Sequence, residues 1–211
     1  MGQSLSGSEN RNINRTYPGK ADGTLTEMMS YGIVQLINTE NIDVTVDLHE
    51  ASPEYPVINA LIAHERAMNL ASNVVVDMQM EGVQISLEPS PTDLRGLTHR
   101  ELGDHTDTLA LLMEAPNPAQ GRLRDRTDEA LVLTGKSETY VKAGEIGQLY
   151  VPYDENGWPI EVRCARHVFG IERILANYSE MYEEPIIVTG MPSYDELVKN
   201  GMGPYLNEPT T

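Results

Sequence analysis

The run Thr108-Leu109-Ala110-Leu111-Leu112-Met113 constrains the fold more than any other stretch of this chain. It lacks polar alternation, the pattern of a central strand covered on both faces, as in parallel sheets packed between helices. The surrounding pattern agrees. Thr24-Leu25-Thr26-Glu27 reads as a capping box, in which the threonine hydroxyl and the later glutamate satisfy each other's exposed amides. Met28, Tyr31, Ile33, Val34, Leu36 and Ile37 then give an apolar helical face to about Asn38. Ile42 to Leu48, rich in β-branched residues, reads as a strand, and Val57 to Ala63 as a second. Glu65 to Gln79 reads as a helix ended by Gly82, and Gln84 to Leu87 as a short strand. A helix is expected between Thr127 and about Ala143, a turn-rich connector from Tyr150 to Pro159, and a long amphipathic helix from Ile160 to Met181. The tail from Met191 reads as an extended or frayed cap. Strands alternate with helices, so the expected class is α/β with a mixed, largely parallel sheet flanked by helices. Residues 1–145 would form the catalytic part and 146–211 an extension of the same domain, as a lid or cap.

In open α/β sheets, ligands bind beyond the carboxyl ends of strands. His49 and Glu114 each follow a strand candidate directly. His49 can offer a neutral imidazole nitrogen to a metal, with Asp47 two positions back to orient the ring. It can equally be a histidine that only closes a strand. Glu114 follows an apolar run, and a carboxylate at the edge of a desolvated pocket holds its proton more tightly, which suits it to proton transfer. The plainer alternative is a glutamate re-entering solvent. Arg15 carries a planar fork of donors suited to a carboxylate or an oxyanion, and Asn14 adds an amide. Tyr17-Pro18-Gly19 beside them is also ordinary turn chemistry, and Arg11 is a weaker candidate.

His99, Glu101, Asp104, His105 and Asp107 form a dense polar cluster. It reads as a loop bordering the pocket, or as a metal site in which His49 joins His99, Asp104 or His105. His64 and His167 read as surface or packing residues in helices. His49-Glu50 does not open an HExxH helix, because position 53 is Pro53. Gly135-Lys136-Ser137 lacks the leading glycine of a phosphate loop, which would stand where Ala130 is. Neither a GxSxG elbow nor a GxGxxG fingerprint occurs.

The formal charge of −17, from 32 acidic and 15 basic residues, argues against nucleic acid and anionic membranes as partners. The single cysteine, Cys164, excludes an internal disulfide framework and a cysteine zinc ribbon, and it has no signature of a thiol nucleophile. No run is long enough to span a bilayer and no signal pattern opens the chain, so a soluble, cytoplasmic protein is expected.

Taken together, Asn14-Arg15-Thr16-Tyr17-Pro18-Gly19, Asp47-Leu48-His49 and Leu112-Met113-Glu114 resemble, in order and approximate spacing, the zinc-dependent succinylglutamate desuccinylase/aspartoacylase family of the zinc carboxypeptidase superfamily. The resemblance covers roughly residues 10–120. It implies a carboxypeptidase-like fold, a bound Zn2+ with His49 as a ligand, and Glu114 as general base and then general acid. It also implies that Asn14 and Arg15 hold the substrate carboxylate or polarise the scissile carbonyl. The implied activity is hydrolysis of an amide bond in an N-acyl amino acid or a small peptide with a free carboxylate. The chain departs from the family ahead of Asn14, where the His-x-x-Glu pair and an upstream substrate-binding arginine are both missing. The expectation is therefore an N-terminally truncated member, incomplete at that end, that binds zinc poorly by itself. The alternative is a metal-free binding domain that keeps the fold and an anion pocket.

Overall fold

The computed structural model of the chain describes residues 12–124 and 128–206. The polar opening stretch through Arg11, the expected helix start at Thr127 and the tail beyond 206 lie outside the described residues. Among the described residues the protein is α/β, with seven α-helices and a four-stranded open sheet that is mixed but mostly parallel. The strands are β1 (Val44–Ala51), β2 (Ala60–Ala63), β3 (Ser86–Pro89) and β4 (Leu109–Pro116), in the order β1-β4-β2-β3. The apolar run thus becomes an interior strand with a neighbour on each side, as its lack of polar alternation requires. The helices are α1 (Leu25–Glu40), α2 (Met68–Met80), α3 (Thr98–His105), α4 (Glu129–Thr134), α5 (Glu138–Glu145), α6 (Ile160–Tyr182) and α7 (Tyr194–Asn200). No described helix is long and apolar enough to cross a membrane.

The chain divides into two compact units. The first comprises Met1–Asp47, Leu61–Ser72 and Leu87–Leu112, the second Leu48–Ala60, Asn73–Ser86 and Met113–Thr211.

In the first unit, α1 begins at the expected capping box. Glu27 Oε2 accepts from the Thr24 amide at 2.8 Å, and Thr24 Oγ1 accepts from the Glu27 amide at 3.4 Å. The helix stops at Asn41, whose left-handed backbone (φ 50°) suits asparagine's short polar side chain. Its apolar face buries Val34 and Ile37 against Tyr17, Leu102 and Ala110, with Ile13, Ile33 and Ile42 packed around them. Each fully buried aliphatic side chain of this kind contributes about 1.5–3 kcal/mol.

In the second unit the long helix α6 supplies the backbone of the core. It buries Ala165, Phe169, Gly170 and Ile174. Gly170 lies so close to Met113 that a Cβ there would overlap its thioether. The expected frayed tail is instead α7, which packs along α6, and Tyr194 sets its ring 6.0 Å from that of Phe169. The tail folds because Ser193 and Glu196 form a second capping box, with Glu196 Oε2 accepting from the Ser193 amide at 2.9 Å, and because Leu197 is fully buried. The helix expected before Ala143 is two helices, α4 and α5, separated at Gly135 in a left-handed conformation (φ 60°).

Candidate functional site

His49 and Glu114 belong to the second unit and come together there, with Nδ1 of the imidazole 3.9 Å from Oε2 of the carboxylate. Their side chains are 29% and 12% exposed, so the pair is largely withdrawn from water yet reachable. Neither follows its strand, as the sequence suggested. Both lie inside one, with β1 running on to Ala51 and β4 to Pro116. The strands extend because the next residues find partners. The Asn117 amide donates to the Ala51 carbonyl at 2.7 Å, and Asn117 Nδ2 donates to Glu50 Oε2 at 2.7 Å.

Glu50 is held a second time by Arg163 of α6, whose Nη1 donates to Oε1 and whose Nη2 donates to the Val132 carbonyl. Arg163 is only 1% exposed, so this charge is paired and hydrogen-bonded where water cannot reach it. One turn further along α6 stands His167. Burial pushes its pKa below the usual histidine range, against the upward pull of Glu50. The sequence pattern gives Glu50, Asn117 and Arg163 no site role, and His167 reads in it as a surface or packing residue. The available signal was an arginine at position 163 in phase with the apolar face of an amphipathic helix, since buried arginines demand a carboxylate.

Asn14 and Arg15 belong to the first unit, in a 3-10 turn over Ile13–Arg15. Asn14 is buried, and its Oδ1 accepts from both the amide and the hydroxyl of Thr98, at 2.6 and 2.8 Å. These bonds cap α3 from outside, where its own N-cap residue, Leu97, offers no side-chain bond. Arg15 is exposed, with Nη1 donating to the Asn14 carbonyl at 2.5 Å. Its backbone presses on Gly96, whose positive φ of 83° and missing Cβ allow the approach. Thr16 and Tyr17 anchor the segment. The Thr16 hydroxyl lies 2.6 Å from that of Ser30, and burial, aided by Asp47, pushes the Tyr17 phenol up to about 12.

The stretch from His99 to Asp107 is not a loop. Most of it is α3, buried over Thr98 to Gly103. Arg100 is the reason. It is 3% exposed and grips both oxygens of Glu65, at 2.9 and 2.8 Å, and both oxygens of Asp104, at 3.2 and 2.6 Å. His64 completes the cluster, with Nε2 lying 3.0 Å from Glu65 and 3.2 Å from Asp104. Of the surface and packing roles expected for it, it has the buried one, as a cap that accepts from the Arg66 amide at 3.3 Å and stands just before the helical turn and not within it. Bonds to Arg100 hold Glu65 down to about 2 and drive Asp104 well below the carboxylate range. These groups are committed to one another.

A catalytic zinc needs three protein donors. Among the described residues no group of three or more His, Cys, Asp and Glu could hold a metal. The reading in which His49 joins His99, Asp104 or His105 therefore gains no support from the described residues. His49 and Glu114 alone do not complete a zinc site. Cys164 is half-buried, and burial pushes its thiol pKa up, which keeps it protonated and poorly nucleophilic. No family model, curated protein or solved structure matches the chain.

Proposed function

We infer that this protein is an amide hydrolase of the succinylglutamate desuccinylase/aspartoacylase type, with a zinc carboxypeptidase-like fold, acting on N-acyl amino acids or small peptides that carry a free carboxylate. The observation that carries the reading is the pairing of His49 with Glu114, 3.9 Å apart in a partly shielded setting, from strands far apart in sequence. Glu114 is the proton carrier. It takes a proton from the water whose oxygen attacks the carbonyl carbon, and returns it to the amine as the C–N bond breaks. Arg15 and Asn14 take the substrate's carboxylate or carbonyl oxygen, the role their counterparts have in the family. His49 is the one member of a Zn2+ donor set that the resemblance assigns to this chain. The described residues do not supply the remainder, so a weak, His49-dependent zinc affinity is expected.

The second reading is a metal-free binding domain that keeps the fold and an anion pocket. Calorimetry with an N-acyl amino acid, with and without saturating Zn2+, separates the two. Binding that zinc strengthens, and that His49→Ala makes indifferent to zinc, supports the hydrolase. Tight binding that ignores both zinc and His49 eliminates it in favour of the binding domain.

A further inference from the structure

The second unit contains a cleft of about 600 Å³ that neither His49 nor Glu114 lines. This is within the size range of small-molecule sites. Its walls are Trp158, Tyr153 and Tyr194 with Val151, Pro152 and Val162, and Arg166 of α6 lies among them. Arg166 is 6% exposed, yet among the described residues no carboxylate pairs with it. Its Nη2 donates only to neutral acceptors, Asn59 Oδ1 and the Gln84 carbonyl, and the Tyr194 hydroxyl is its remaining polar neighbour. The indole of Trp158 covers the guanidinium at 5.3 Å from the ring centroid. An uncompensated buried charge is costly. A ligand that brings a carboxylate would supply the missing counter-charge.

The aromatic wall is built to stay in place. Trp158 Nε1 donates to the Pro152 carbonyl at 3.0 Å, and the Trp158 amide donates to the Gly135 carbonyl at 3.2 Å. The Tyr153 hydroxyl donates to the same carbonyl. A Cβ at Gly135 would collide with the Trp158 backbone, so only glycine permits this approach.

We propose that this cleft binds a small organic carboxylate with a flat, unsaturated body, the carboxylate on Arg166 and the body against Trp158, Tyr153 and Tyr194. The guanidinium fork matches a carboxylate, and indole and phenol rings favour a flat apolar partner. Glu145 and Asp154 stand on the same walls and select against ligands carrying more than one negative charge. The cleft holds independently of the hydrolase reading.

Trp158 is the chain's only tryptophan, so its fluorescence reports on this cleft alone. Benzoate is titrated against the full protein, with neutral benzamide and inorganic phosphate as controls. The expected result is a saturable change with benzoate, and binding about tenfold weaker or less for benzamide and phosphate. Arg166→Gln is expected to weaken benzoate about tenfold. Glu145→Gln, which removes an acidic group from the wall without touching Arg166, is expected to tighten it about twofold. A linear, unsaturated response, equal binding of benzamide or phosphate, or benzoate binding unchanged or weakened by Glu145→Gln would overturn the proposal. The Glu145→Gln result holds even where Arg166→Gln fails to fold.

Discussion

Arg100 in the first unit and Arg166 in the second are nearly equally buried, at 3% and 6% exposure, but they are compensated in opposite ways. Arg100 is saturated by two carboxylates, each of which it also holds ionised. Arg166 has only amide, carbonyl and phenol oxygens, with an aromatic face above it. His64 belongs to the same closed set as Arg100, locked between Glu65 and Asp104. A polar cluster closed on itself stabilises a fold. A buried charge left with neutral partners, as at Arg166, is open to a ligand that brings the counter-charge.

The comparison is broken most easily at the arginines. Arg100→Leu should lower the unfolding free energy by about 2–3 kcal/mol, less than a fully buried pair would cost because Glu65 is 58% exposed and its charge is partly screened. Arg166→Met should change it by no more than about 1 kcal/mol, since the lost hydrogen bonds are offset by relief of an unpaired charge. Equal losses in urea titrations of the two variants would abolish the distinction.

Acid sharpens it further. Glu65 has a folded value near 2 against an ordinary 4.5, so the unfolded chain binds its proton first as pH falls. The stabilisation is complete above about 4.5 and is lost progressively as pH drops toward 2. Asp104 adds to the same trend, being lowered by the same guanidinium. Urea midpoints measured from pH 5 downward should therefore fall steeply in the wild type and less so in Arg100→Leu. They should keep the wild-type slope in Arg166→Met. A shared slope in all three proteins would contradict the assignment.

Smaller effects test the segment that carries Arg15. Asn14→Ala removes two buried bonds to Thr98 and the external cap of α3, and should cost about 1–2 kcal/mol. Thr24→Ala, which opens the more exposed capping box of α1, should cost about 1 kcal/mol or less, both losses being read from urea titrations.

Much of the architecture could be read from local pattern. The capping box at Thr24, the buried strand at Leu109 and the long helix from Ile160 each announce themselves through contiguous residues, because propensity and periodicity are local. The failures share a cause. The stretch from His99 to Asp107 looks like a loop because its charges look solvated, and only the approach of Glu65 and Asn14 from elsewhere makes it a buried helix. The tail after Met191 looks frayed until Leu197 and Tyr194 are seen against α6. At the site, the pairing of His49 with Glu114 could be anticipated from strand-end logic, although both lie within strands. The Glu50–Arg163 pair spans 113 positions, so the phase of Arg163 on its helix signals a buried partner without saying which carboxylate it is. The aromatic cleft around Arg166 is similarly assembled from separate stretches of the second unit.

The central claim is that His49, and not the histidines of the closed cluster, is the group offered to a metal. Zinc titration followed through the histidine ring resonances tests it directly. The account predicts that the His49 signals move first and that those of His64 stay fixed, with the response gone in His49→Ala. Shifts of His64 or His105 while His49 remains unmoved would contradict it.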